Sequence, residues 1–79
     1  MLTVPNQLHT TTPVVRIIRR REVEALTGLS RSSIYAKLSK ASKYFDPNFP
    51  QRVSLGARCV GWHLSDVLSW TQSRPPAHE

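Results

Sequence analysis

Apolar positions along this chain come in short clusters, and their spacing predicts a sequence of small elements. Val23 and Leu26 sit three apart. That spacing places them on one face of a helix from about Arg20 to Thr27, with Glu22 and Glu24 facing outward near its positive end. Gly28 ends this helix, because glycine adopts the left-handed conformation without a steric penalty. Leu29 follows as a buried turn residue. Ser30 is a good N-cap for a second helix, Arg31 to about Ser39, with Ile34 and Leu38 at its buried centre. So short a connection suits a helix-turn-helix corner.

After Ser39 the helical spacing stops. Lys40 to Pro50 holds Asp46-Pro47 and Phe49-Pro50, and a residue before proline is pushed away from helix. This segment is a connector, with Tyr44, Phe45 and Phe49 expected to pin it onto the core. Arg52 to Trp62 then alternates as a hairpin. Val53 and Leu55 share one face, Val60 and Trp62 share another, and Gly56 supplies the turn. A last helix, Ser65 to Ser73, buries Val67, Leu68 and Trp70, with Ser65 or the residue before it as its cap. Asp66 suits the dipole at that end. Val14 to Ile18 reads as a short extended lead-in. Residues 1–14 read as a flexible tail, 15–73 as the folded domain and 74–79 as a frayed end. The expected architecture is mainly α with a small β-hairpin, a winged helix-turn-helix.

Seventy-nine residues allow one domain. A chain of this size buries only roughly 60% of its unfolded surface. Its folded state is held by a few kcal/mol, on the order of the lower end for natural domains. Eleven Lys and Arg against five Asp and Glu give a formal charge of +6. That excess favours a polyanionic partner. The single cysteine, Cys59, forms no internal disulfide, which fits a reducing compartment. No His/Cys cluster has the spacing of a metal site. No apolar run approaches a membrane span, and residues 1–15 lack the layout of a signal peptide. The expectation is a cytoplasmic protein with no cofactor and no metal.

Charge and pattern together single out the second helix. At about 100° per residue, Ser32, Ser33, Ala36, Ser39 and Lys40 lie opposite the buried Ile34 and Leu38. Arg31, Tyr35 and Lys37 flank them. Small side chains let a helix sink into the major groove, and serine hydroxyls reach base edges or phosphates. Arg31 lies in the first turn, where recognition helices meet bases. From Arg31 to Lys43 there is no acid, whereas an ordinary solvated helix carries Glu–Lys pairs. The expected recognition set is Ser30, Arg31, Ser32, Ser33, Tyr35, Ala36, Lys37 and Lys40. Arg52, Gly56 and Arg58 form the expected wing contacts. Arg19 and Arg20, with Arg21, start the first helix and would meet phosphates. Nothing looks catalytic. His63 has no Cys or acid at a triad-like or metal-like spacing, and no glycine-rich phosphate loop is present.

These residues carry a family likeness. Glu22-Val23, then Thr27-Gly28-Leu29-Ser30-Arg31-Ser32-Ser33-Ile34-Tyr35, resembles the signature of the AlpA family of phage and prophage regulators. Phe49-Pro50, Val53-Ser54-Leu55-Gly56, Trp62 and the run from Ser65-Asp66-Val67 to Trp70 continue the pattern. The likeness covers about Arg16 to Thr71. It implies a winged-helix fold similar to MerR and excisionase domains, and binding of double-stranded DNA near an attachment site or promoter. It implies a transcriptional regulator, an excisionase that bends DNA for a tyrosine integrase, or both. Cooperative self-association on repeated sites belongs to the same picture. Two features depart from compact members: a longer segment 39–48 and a Thr-rich start.

Two other classes compete with a DNA binder. A protein-interaction adaptor would use the helix-turn-helix as a docking scaffold, and would expose a contiguous apolar patch. An RNA binder would show aromatics on an open sheet. The acid-free helix face and the hairpin arginines favour duplex DNA.

Overall fold

A computed structural model of the chain describes residues 15–77. The expected tail over 1–14 lies outside the described residues, as do His78 and Glu79. Six elements follow in order: β1 (Ile17–Ile18), α1 (Arg20–Thr27), α2 (Arg31–Leu38), β2 (Val53–Gly56), β3 (Cys59–His63) and α3 (Leu64–Gln72). The architecture is three helices and a small antiparallel three-stranded sheet, arranged β1-β3-β2. It is a helix-turn-helix-like domain.

Local chemistry sets the helix boundaries. Gly28 takes φ 79°, and its N–H closes α1 onto the Glu24 carbonyl at 2.8 Å. At the other end, Arg19 has no side-chain acceptor to offer. Glu22 reaches back instead, accepting from the Arg19 N–H at 3.3 Å, which places a carboxylate at the positive end. Ser30 caps α2 by accepting from the Ser33 N–H at 3.1 Å. For α3 the cap is His63, not Ser65 or Leu64, and it makes no side-chain capping bond. The Leu64 N–H finds its partner outside the helix, in the Arg16 carbonyl at 2.8 Å. The chain thereby runs from sheet to helix with no intervening turn.

The lead-in is more than an extended segment. Ile17 pairs with His63 and Ile18 with Trp62, so β1 completes the sheet on the far side of β3 from β2. The β2–β3 pairing aligns Val53 with Gly61 and Ser54 with Val60, then shifts register between Ser54 and Gly56. This irregularity bends the ribbon near its tip.

One core holds the layers together: Ile18, Val23, Ile34, Phe49, Trp62, Val67 and Trp70, with Leu29, Leu38 and Leu64 packed on its edge. Each such side chain contributes about 1.5–3 kcal/mol when fully buried. Phe49 meets Trp70 edge-on at 4.9 Å between ring centroids.

Two expected core contacts, Leu68 and Tyr44, fall elsewhere, and Leu26 and Leu55 join them at the surface. Leu26, Leu55 and Leu68 are substantially exposed, and Tyr44 is 62% exposed. Of the three connector aromatics, Phe49 alone is fully buried and Phe45 is half-buried. The connector is pinned instead by Asp46. Its N–H donates to the Lys37 carbonyl at 3.0 Å, and its carboxylate accepts from Trp70 Nε1 at 3.1 Å. Arg74, expected in a frayed end, lies 4.0 Å from the Trp70 ring centroid and 3.7 Å from the Asp46 carboxylate.

Candidate nucleic-acid interface

The helix α2 presents two flanks and a narrow face between them. Ile34 is fully buried beneath it. From that point Tyr35 lies about 100° to one side and Ser33 about 100° to the other, with Ser32 and Ala36 on the far side. Ser32 and Arg31 are exposed, while Ser33, Tyr35, Ala36 and Lys37 are half-buried. The Ser30 hydroxyl donates to the Ser33 hydroxyl at 3.1 Å, so both are held in place by the cap. Lys40 is exposed just past the helix end.

On the Tyr35 flank, arginines from four segments converge. Arg31 and Arg52 place their guanidinium carbons 6.0 Å and 5.8 Å from the Tyr35 ring centroid. Both distances fall within the range of cation–π attraction. Beside the ring lies a pocket of about 330 Å³ lined by Arg19, Arg20, Arg21, Tyr35, Arg58, Val60 and Trp62. The start of α1 and the tip of the hairpin thus meet at one aromatic. Arg19 is fixed by donating from Nε to the Val60 carbonyl at 3.0 Å. Arg20 is paired with Glu24 one turn along α1, and Arg16 pairs with Glu22 at 3.0 Å. The charges of Arg16 and Arg20 are therefore partly neutralised, whereas Arg21 and Arg58 are exposed.

Arg58 carries a further mark. Its φ is 58°, in the left-handed region. A non-glycine residue there costs about 1–2 kcal/mol, and such strain gathers at functional positions. Gly56, two residues earlier, takes φ 140° and makes the tight start of the turn.

On the opposite flank Lys37 turns toward the core, with Nζ 5.7 Å from the Trp70 ring centroid. A depression of about 340 Å³ lies here, lined by Leu29, Ser32, Ser33, Ala36, Lys37 and Tyr44. The expected contact residues thus separate into two groups. Arg19, Arg20, Tyr35 and Arg58 share one pocket; Ser32, Ser33, Ala36 and Lys37 share the other. Arg31 and Arg52 join the first group through the Tyr35 ring.

Two features escaped the sequence reading. Both Arg31 and Arg52 lie within cation–π distance of Tyr35, and no local spacing announces a contact across 17 residues between Tyr35 and Arg52. The connector also brings Tyr44 to the edge of α2. The run Asp46-Pro47-Asn48 held a signal for the first step of that path: Asp46 Oδ1 accepts from the Asn48 N–H at 2.8 Å, an Asx turn.

The Asp46 carboxyl feels opposing influences. Burial alone would raise its pKa. Hydrogen bonds from the Asn48 N–H and the Trp70 indole, with the charges of Arg74 and Lys37, outweigh that and hold it below the usual carboxylate value.

Among the described residues no group of three or more His, Cys, Asp or Glu side chains could hold a metal ion, and no helix is long and apolar enough to cross a membrane.

The fold and the clustered cations define a small basic helix-turn-helix-like domain. Residues 16–75 match the family of the prophage CP4-57 regulatory protein, AlpA. The chain belongs to that family. It is also similar to the uncharacterized protein ORF88 of Enterobacteria phage P4, with 42% identity over 59 residues. Those residues are 75% of this chain, which spans 60% of the relative's length. No solved structure matches the chain.

Proposed function

We propose that this protein binds double-stranded DNA as a winged helix-turn-helix, with residues 15–73 as the binding domain. In this reading α2 enters the major groove. Ser32, Ser33 and Ala36 form the close-approach face, and Arg31 reaches a base edge or phosphate near the first turn. The β2–β3 ribbon is the wing, carrying Arg52, Gly56 and Arg58 to the adjoining backbone. Arg19, Arg20 and Arg21 meet a phosphate beside it. Ser30 serves as the cap that orients the helix. Lys40 adds cationic charge just past its far end, while Lys37, leaning on Trp70, contributes to the field from behind the helix.

The observation that carries the reading is the convergence on Tyr35. Arginines 19, 20, 21 and 58 line one pocket with that ring, and Arg31 and Arg52 lie against it. Cations gathered from separate segments repel one another, so a core would not select the arrangement. A polyanion that bridges them removes the repulsion. The left-handed Arg58 supports the same conclusion, since glycine would suit that turn better.

In this reading the protein serves a phage or integrative element in the bacterial cytoplasm, at the nucleoid. It acts as an excisionase, as a transcriptional regulator, or as both. Neither role requires chemistry by its own side chains; the binding energy would hold the duplex in a chosen shape. On the excisionase branch its partners are a tyrosine integrase and neighbouring copies bound to repeated sites.

A gel-shift titration tests the reading. Wild type, Arg58→Ala and Arg31→Ala are compared on a duplex covering the element's attachment region and on a scrambled duplex, across a range of salt. Affinity should fall steeply with salt. Arg58→Ala should weaken both duplexes alike and lower the salt slope by about one. Arg31→Ala should cost about 1–3 kcal/mol and narrow the gap between the duplexes if it reads a base. Wild-type protein that binds neither duplex at low salt sinks the proposal.

A further inference from the structure

We infer that the connector after α2 is a second DNA-holding arm, in which the Lys43 ammonium and the Tyr44 hydroxyl grip a backbone phosphate on the flank opposite the wing. The inference rests on the duplex-DNA reading above and adds to it a residue pair from outside both helix and wing.

Tyr44 is 62% exposed, although Phe45 and Phe49 beside it turn inward. Its ring is not used to fill the core. It lines the depression that also contains Ser32, Ser33 and Ala36, the small face of α2. Lys43 places Nζ 5.2 Å from the Tyr44 ring centroid, so the cation and the hydroxyl-bearing ring travel together.

The loop that presents them is held firmly. The Ser42 N–H donates to the Ser39 carbonyl at 3.0 Å, and the Phe45 N–H to the Ser42 carbonyl at 3.1 Å. The Tyr44 N–H donates to the Ser42 hydroxyl at 3.0 Å. Asp46 then ties the loop's end to the Lys37 carbonyl at 3.0 Å. Such a turn presents its side chains at a fixed position beside the helix.

Charge selects the occupant. From Arg31 to Phe45 the chain has no acid, and Lys40 and Lys43 are exposed. The next acid, Asp46, has its carboxylate committed to Trp70, Asn48 and Arg74. The exposed ammonium of Lys43 beside the exposed Tyr44, with the exposed Lys40 three residues earlier in the chain, suits a backbone phosphate. Geometry agrees. An α-helix with side chains is about 10–12 Å across, close to the width of the major groove. Elements on its two flanks therefore meet the two strands that border the groove. The arginine pocket takes one flank and the Lys43–Tyr44 pair the other.

The test uses the full chain and a duplex of a few helical turns, enriched by the wild-type protein from a randomised pool. Phosphate ethylation interference is read on both strands. Wild type should show two clusters of sensitive phosphates. The Lys43→Ala, Tyr44→Phe double variant should lose one cluster and keep the other, with affinity down about tenfold and the salt slope lower by about one. Arg58→Ala should lose the other cluster instead. Tyr44→Phe alone removes a single exposed oxygen, so it reads the hydroxyl's share with the fold intact. If the double variant keeps the wild-type pattern and affinity while Arg58→Ala loses its cluster, the arm is overturned and the DNA reading stands. If the wild type enriches no duplex at all, both fall.

Discussion

Arg58 occupies the left-handed region at φ 58°, just before β3, where the Cβ clash costs other residues more than glycine. The physical expectation is a trade between stability and binding. Arg58→Gly should raise thermal stability by up to about 1 kcal/mol, while weakening DNA and reducing the salt slope. A thermal melt beside a salt titration reads both; lower stability together with unchanged binding would contradict the trade. At Ser30 the sign reverses. Its Oγ accepts the Ser33 N–H at 3.1 Å, so Ser30→Ala should cost about 1 kcal/mol, and Ser30→Asp should recover most of it. Urea unfolding of the three proteins measures this. Gly28 and Ser30 were legible in the sequence because a helix end is decided by one or two neighbouring residues. Tyr44 was not. An aromatic in a loop is apolar whichever way the loop turns, and the direction here depends on Asp46 finding Trp70 and the Lys37 carbonyl. The clustering of arginines on Tyr35 was hidden for the same reason: Arg19, Arg52 and Arg58 come together only after the sheet has formed.

Helices were easier to place than strands. Arg20–Thr27 stands where apolar spacing put it, and α2 ends one residue before the expected Ser39. The hairpin was visible through its alternation, although the register shift between Ser54 and Gly56 leaves Leu55 exposed. The third strand was hidden, because two residues, Ile17 and Ile18, carry too little alternation to reveal a partner. Gly61 is the structural sign of that pairing. A Cβ at this position would meet Ile17 Cγ2 at 2.5 Å and the Ile18 carbonyl oxygen at 2.9 Å. The methyl group of Ile17 can rotate aside, but the carbonyl is part of β1 itself. Gly61→Ala should therefore push β1 away from β3 and destabilise the domain by about 1–3 kcal/mol. The Ile18 amide should lose hydrogen-exchange protection, together with the Leu64 amide that bonds to the Arg16 carbonyl at 2.8 Å. Unchanged protection at both amides would mean that the sheet absorbs the methyl by another route.

At the scale of the whole molecule, Asp46 connects parts that the chain keeps far apart. It joins the end of α2, through the Lys37 carbonyl, to Trp70 on α3 and Arg74 beyond it. Trp70 in turn packs edge-on against Phe49 and lies under two cations, Lys37 and Arg74. In so small a core this cluster is what keeps the connector closed over α3, and with it the position of Tyr44. Its strength should depend on pH in a definite direction. Burial favours the neutral carboxyl, but the Asn48 and Trp70 hydrogen bonds and the Arg74 and Lys37 charges prevail, so the folded-state pKa is lowered. An unfolded aspartate titrates near about 3.9. Asp46 thus stabilises the fold fully above that value, and the contribution is lost as pH falls through the lower folded-state value. Asp46→Asn keeps the shape but not the charge. It should destabilise the domain by about 1–3 kcal/mol near neutrality, and the difference from wild type should close as the solution is acidified below about pH 4. Urea unfolding of both proteins from neutral to strongly acidic pH measures the gap. A gap that stays constant into acid would show that the carboxylate's charge does not hold the connector, and that packing of Phe49 on Trp70 does so alone.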